Sequence, residues 1–300
     1  MRRLLIFLFS LVASVSLYAT NRALLVGIGS YDTEATGWSV IHGNNDIALL
    51  EPKLKAKGFT VITLSDKYAT KSKIVGGLKK MLAMASAGDI VYIHFSGHGQ
   101  LIEDLNNDEQ EEYDQSFVCY DACFSPRFKS NGSWYKGQNH LIDDELFPYL
   151  NQIKQKIGKE GELVVVFDSC YSGGADRGEV TDDPDPEGEV EIDDTTRGAS
   201  DEFKLNKSSE TYLRRVKKPG QYSDKGSRVV VISACESDKK NYECKERRSG
   251  RKYGSLSYCI GKILDNNIPL SQWSAYFQNG DFRKLKIFRL SQNPVTEVYK

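Results

Sequence analysis

Three hundred residues are enough for one large domain or two small ones, with a substantial buried core. A composition of 40% hydrophobic and 27% charged residues is that of a globular protein and excludes a disordered or fibrous chain. The net charge of −1 removes any whole-molecule electrostatic argument for nucleic acid or an acidic membrane surface as partner.

The chain opens with MRRLLIFLFSLVASVSLYAT. Two arginines, an apolar run and small residues ending at Ala19 are the layout of a secretory signal peptide. The serine-broken run is too short for a comfortable membrane span, and no later segment approaches one. Export, cleavage after Ala19 and a secreted or periplasmic body of residues 20–300 are therefore expected, with no membrane span after signal removal.

Strands and helices then alternate. RALLVGIGSY (22–31) reads as a buried strand, and NNDIALLEPKLKAKGF as a helix that Pro52 delays or kinks. FTVITLSD (59–66) is a strand, TKSKIVGGLKKMLAMASAGD a helix, and DIVYIHFSG (89–97) a strand. A long polar stretch covers 99–140. A helix opened by acids follows at 141–158, then an apolar strand, GELVVVFDSC (161–170), another, SRVVVISAC (227–235), and a helix at 253–267. Strands apolar throughout point to an α/β fold whose mostly parallel sheet carries helices on both faces. Ligands of such sheets bind beyond the carboxyl ends of the strands.

Residues 179–194 hold nine acids and no base, and residues 204–218 then carry six lysines and arginines. Neither part can bury much apolar surface, so 175–226 is expected to be a mostly disordered acidic and basic loop between two strands.

Two strand ends carry chemistry. One runs into Ser96-Gly97-His98-Gly99, the other into Asp168-Ser169-Cys170. A histidine at one end can take the proton of a thiol at the other. The backbone N–H groups of Gly99 and Cys170 are the natural donors for the oxyanion, because glycine lets the backbone approach closely. That is a Cys-His hydrolase arrangement whose bond-breaking step needs no metal. His94, four residues before His98, lies about 13 Å away along a strand, too far to share an ion, and is read as a core residue. His42 and His140 have no partner that the sequence identifies. The six cysteines form no CxxC, which opposes a thiol redox protein.

HFSGHG and DSCYSG resemble the histidine and cysteine motifs of caspase-like cysteine peptidases, most closely the metacaspases. RALLVGIGSY, GNNDIALL, EEYDQ, LIDDEL, ISACESD and YGSLSYCIGKIL stand in the same order as in that family. The resemblance implies a caspase-like fold and an endopeptidase with His98 and Cys170 as catalytic dyad. It implies polypeptide substrates cut after arginine or lysine, with Asp168, Asp46 and Ser96 lining the pocket for the cationic side chain. It also implies activation by calcium, with Asp114, Asp143 and Asp144 as matching acids. The chain departs from the family by inserting about a dozen residues between Asp114 and Asp143, and Asp176 or the acids after it would have to supply a fourth ligand. The 175–226 loop lies where family members are cut during maturation, which makes Arg197, Arg214, Arg215, Lys217 and Lys218 candidate self-cleavage positions. A non-catalytic caspase-like binding module is the alternative from another class.

Overall fold

The computed structural model describes residues 19–103, 113–171, 188–199, 222–236 and 239–300. The expected signal peptide, Asp176, Arg214, Arg215, Lys217 and Lys218 lie outside the described residues, Ala19 excepted.

Strand β1 (Asn21–Gly27) leads through a short helix α1 (Thr33–Thr36) to α2 (Gly43–Ala56). Pro52 sits on the exposed side of α2, which runs through it without a break. Then come β2 (Phe59–Ser65), α3 (Lys71–Met84), β3 (Ile90–Ser96), β4 (Gly99–Glu103) and β5 (Tyr113–Val118). A small hairpin, β6 (Lys129–Ser130) and β7 (Ser133–Trp134), precedes β8 (His140–Ile142), α4 (Asp143–Ile157) and β9 (Glu162–Asp168). The last third holds β10 (Val190–Thr196), β11 (Arg228–Ser233), β12 (Tyr242–Glu246), β13 (Lys252–Gly254), α5 (Ser255–Asp265), α6 (Leu270–Gln278) and β14 (Val295–Tyr299).

Six strands form the central sheet in the order β14-β11-β9-β3-β1-β2. All neighbours pair in parallel except β14, an antiparallel edge. This is the mostly parallel α/β sheet that the apolar strands foretold. Leu24 and Val26 of β1 pack with Leu78 of α3 and Ile153 of α4. Ala23 and Leu25, pointing the other way, pack with Leu50 of α2 and Ile260 of α5. A strand buried on both faces has no polar side to show, which is why its sequence does not alternate.

Two smaller sheets, β4-β5-β8 and β10-β12-β13, complete the fold. The first occupies the polar stretch 99–140, which suggested no structure. The second corrects an expectation: residues 190–196, taken as part of a disordered loop, are strand β10. The acid count obscured an alternation, Val190 and Ile192 between Glu189, Glu191 and Asp193, which is a strand signal. Val190 reaches the core cluster on the α2 side of the sheet.

Candidate active site

Strands β3 and β9 are neighbours, with Ser96 opposite Asp168. His98 and Cys170 each lie two residues further on, so the register alone brings the two motifs to one edge. The two glycines around His98 serve close contacts. A Cβ at Gly97 would come within 2.9 Å of the Tyr31 hydroxyl, and one at Gly99 within 2.5 Å of the Cys170 carbonyl oxygen.

His98 is held on three sides. Its ring stacks on Trp38 at 4.9 Å between centroids and lies 5.1 Å from Tyr31. Its backbone N–H donates to the Tyr31 hydroxyl (3.2 Å), which donates to the Val118 carbonyl (2.9 Å). Nε2 donates to the Ser39 carbonyl at 2.9 Å. That bond selects the tautomer with a lone pair on Nδ1, for which no partner is found among the described residues. Burial lowers the imidazole pKa to about 4, so His98 is neutral at physiological pH. The Cys170 thiol donates to the Lys239 carbonyl at 2.9 Å.

The chain itself fills the space in front of these groups. Beyond β10, the carbonyl oxygen of Arg197 accepts from Gly99 N–H (3.0 Å) and Cys170 N–H (3.2 Å). These are the two donors expected to serve an oxyanion. Arg197 N–H donates to the Asn241 carbonyl (3.1 Å), Gly198 bridges Gly99, and Ala199 N–H donates to the Gly99 carbonyl (3.3 Å).

The Arg197 side chain is fully buried among acids. Nη1 donates to Asp46 Oδ2 (2.7 Å), Ser96 Oγ (2.6 Å) and the Asp168 carbonyl (3.3 Å), with Asp168 Oδ1 at 3.6 Å. Its other edge, Nη2 (2.8 Å) and Nε (3.1 Å), donates to Glu243 Oε1. Asp46, Ser96 and Asp168 thus converge on one guanidinium, which corrects the expectation that Arg197 lies in an exposed loop. Asp46 is not a helix cap. It is inside the first turn of α2, and its Oδ1 accepts from Gly254 N–H (2.9 Å). Asp168 is braced by Asn241 Nδ2 (2.7 Å) and by Ser257 N–H and Oγ (2.7 and 2.6 Å). Gly254 forms the pocket wall, where a Cβ would stand 2.5 Å from Arg197 Nη1.

Burial opposes the charge on Arg197, but Asp46, Asp168 and Glu243 outweigh it and hold the guanidinium protonated. Burial pushes Asp46 up to about 7, against the pull of Arg197. Burial also works to raise Glu243, yet Arg197 and His42 hold it below the usual carboxylate range. Sequence reasoning missed Glu243 and Asn241. They stand two apart in NYECKE, a segment with no motif, and only the fold of β12 aims them here.

The caspase-domain family model matches residues 20–269. The chain belongs to the caspase-domain family. It is 24% identical over 288 residues to Metacaspase-3 of Trypanosoma brucei brucei, covering 90% of this chain and 69% of that protein. It is 28% identical over 162 residues to Metacaspase-1 of Pyricularia oryzae, covering 52% of this chain and 37% of that one. The crystal structure of protein GSU0716 from Geobacter sulfurreducens shares the fold, with a TM-score of 0.62, 21% identity and 93% of each chain covered. This caspase-domain protein is a cysteine-type endopeptidase, similar to metacaspases.

The remaining titratable groups of the peptidase fall into place around that centre. His42 Nδ1 meets Glu243 Oε2 at 2.5 Å, so the histidine without an evident partner supports the acidic pocket around Arg197. His94 is the core residue expected, between Tyr92 (2.7 Å) and Ser257 (3.0 Å). His140 bonds Tyr135 (2.7 Å) and Gln100 (2.9 Å) in the small sheet. All six cysteines are buried, and none is in a disulfide.

Asp114, Asp143 and Asp144 gather at the start of α4, with one carboxylate oxygen of each within 4.8 Å of the others. Asp143 and Asp144 also form the acidic first turn of the helix. An all-oxygen donor set with two of its three members buried fits a hard divalent cation such as calcium. The insertion before it folds as the β6–β7 hairpin.

Proposed function

We propose that this caspase-domain peptidase cuts polypeptides on the carboxyl side of arginine, more slowly after lysine, and that its own Arg197–Gly198 bond is among its substrates. The observation that carries this is the seating of Arg197, with its side chain among Asp46, Asp168 and Glu243 and its carbonyl oxygen on the N–H groups of Gly99 and Cys170.

Neutral His98 takes the thiol proton of Cys170 at Nδ1. The thiolate adds to the carbonyl carbon, and the oxyanion is held by Gly99 and Cys170 N–H. The carbon–nitrogen bond breaks as His98 returns the proton to the leaving amine. Water, deprotonated by His98, then releases the arginine carboxylate from the thioester. Both edges of the guanidinium are bonded, and a lysine ammonium can satisfy only one. The discrimination of arginine over lysine is expected to be about tenfold.

Two further features belong to the proposal. Calcium is held by Asp114, Asp143 and Asp144 and raises activity by stiffening β5, which pairs with the strand that begins at Gly99. Export through a signal peptide cleaved after Ala19 delivers the enzyme to the periplasm or the outside.

The test is a purified chain assayed with fluorogenic arginyl, lysyl and aspartyl peptides, with and without calcium, alongside intact-mass analysis. Expected are arginyl cleavage, stimulation by calcium and scission at Arg197–Gly198 in wild type but not in Cys170→Ala. Equal turnover of the aspartyl peptide would sink the basic pocket. A mutant cut at the same bond would assign the scission to another protease.

A further inference from the structure

The groove that strand β10 fills, leading to the acidic pocket around Arg197, is lined with cations. Strand β10 runs antiparallel to β12, with Val190 opposite Glu246 and Asp193 opposite Glu243. A bulge then frees Asp194 and Thr195 before Thr196 pairs with Tyr242. This is how an extended peptide adds to a sheet edge, with main-chain bonds fixing the register and side chains giving selectivity. With Arg197 in the pocket, Asp194 and Asp193 stand three and four residues before the arginine at the bond to be cut.

Each of these acids meets a cation from the fixed body of the enzyme. Asp194 accepts from Arg289. Arg289 is only 8% exposed and lies over the Tyr242 ring at 4.1 Å. Asp193, whose side chain is 18% exposed, meets Lys252 Nζ at 2.7 Å. Further along, Glu191 has Arg247 at 3.8 Å, and Glu189 has Lys262. A solvated acidic face would not draw partners from segments as far apart as 245–252, Lys262 and Arg289, nor bury one of them under the chain.

We propose that the groove selects polypeptides with acidic side chains three and four residues before the arginine at the cut bond, and that Arg289 and Lys252 recognise them. The proposal rests on cleavage after a basic residue. It adds that the basic residue alone does not define a substrate, and that residues 193–198 are the resident example of the class. Each pair keeps one member partly in solvent, and such pairs are worth little singly, so the expected gain is about fivefold in kcat/KM at each position and about twentyfold together.

Full-length enzyme is given quenched-fluorescent peptides containing Asp-Asp-Thr-Thr-Arg-Gly, Asn-Asn-Thr-Thr-Arg-Gly or Asp-Asp-Thr-Thr-Ala-Gly. The acidic arginyl peptide should exceed the amide peptide about twentyfold, and the gap should close as salt is raised. In Arg289→Glu, a peptide with lysine three residues before the arginine should overtake the one with aspartate there. Equal turnover of the acidic and amide peptides, with the alanyl peptide uncut, overturns the acidic selectivity and leaves the basic pocket standing. Arginyl and alanyl peptides cut alike would overturn the basic pocket instead, while the ratio of acidic to amide still judges the groove. The same ratio can be read within the chain: Asp193→Asn/Asp194→Asn should split at Arg197–Gly198 more slowly than wild type, and equal rates count against the proposal.

Discussion

Strands β9 and β10 flank the candidate nucleophile on either side in sequence and are built on opposite principles. β9, ELVVVFD, is apolar and lies in the middle of the sheet with both faces covered. Its own side chains commit it to a buried strand. β10, VEIDDTT, has three acids in seven residues and, among the described residues, pairs only with β12. It is a strand because basic side chains from elsewhere neutralise it and because Arg197 at its end is seated in a pocket of three carboxylates. The first leads to the candidate nucleophile, and the second leads to the residue that fills the space before it. An active-site strand can therefore be determined locally, while an occupying segment is determined only by what it fits.

The sharpest way to test that contrast is Cys170→Ala. It should lower turnover of arginyl peptides by at least about 10³-fold, with little change in the denaturation midpoint, because the thiol only ends a strand that others hold. Asp168→Ala should come next. Loss of one partner of a buried guanidinium–carboxylate pair costs about 3–5 kcal/mol, or roughly 10²–10⁴-fold in kcat/KM on arginyl peptides. An equal loss on a non-basic peptide would show that Asp168 supports the fold and not the pocket.

On the β10 side, Arg197→Ala in a Cys170→Ala background leaves three buried acids without their cation. Urea denaturation should show a loss of about 3–5 kcal/mol, together with new protease sensitivity within 188–199. The sign follows from the acids. Carboxyls without a cation favour the protonated form when buried, so the loss should grow as pH rises and shrink where Asp46 holds a proton. A protein that keeps β10 protected would show that the strand stands without its anchor.

The smallest effect separates recognition from chemistry by pH. With Arg197 seated, burial raises the Asp46 carboxyl to about 7 and lowers the His98 imidazole to about 4. KM for arginyl peptides should improve by up to about tenfold as pH rises through 7 and Asp46 ionises, while kcat should persist to near pH 5, since His98 stays neutral. A kcat that collapses below pH 6.5, as for an ordinary imidazole, would mean that His98 is more exposed in the working enzyme.

Much of the site was legible because its residues sit at the ends of self-determining elements. Apolar runs located β3 and β9, and glycines at their ends marked the turns that hold His98 and Cys170. The acids Asp46 and Asp168 and the hydroxyl of Ser96 came from family resemblance, and the fold does bring them to one guanidinium. Glu243, Asn241, Arg289 and Lys252 were not legible, since each lies in a polar segment whose placement depends on pairing with another.

The sequence by itself determined the parallel sheet and the two motifs at its carboxyl edge, because buried periodicity and glycine turns are local properties, while the expectation of a peptidase came from the resemblance of those motifs to a known family. Only the tertiary structure decided that an acidic segment becomes a strand, that Arg197 is the pocket's occupant and that Glu243 and His42 complete its wall. Those facts belong to charge pairs between residues up to 201 positions apart in the chain, and the energy of an ion pair depends on distance in space and on burial, neither of which a linear sequence contains.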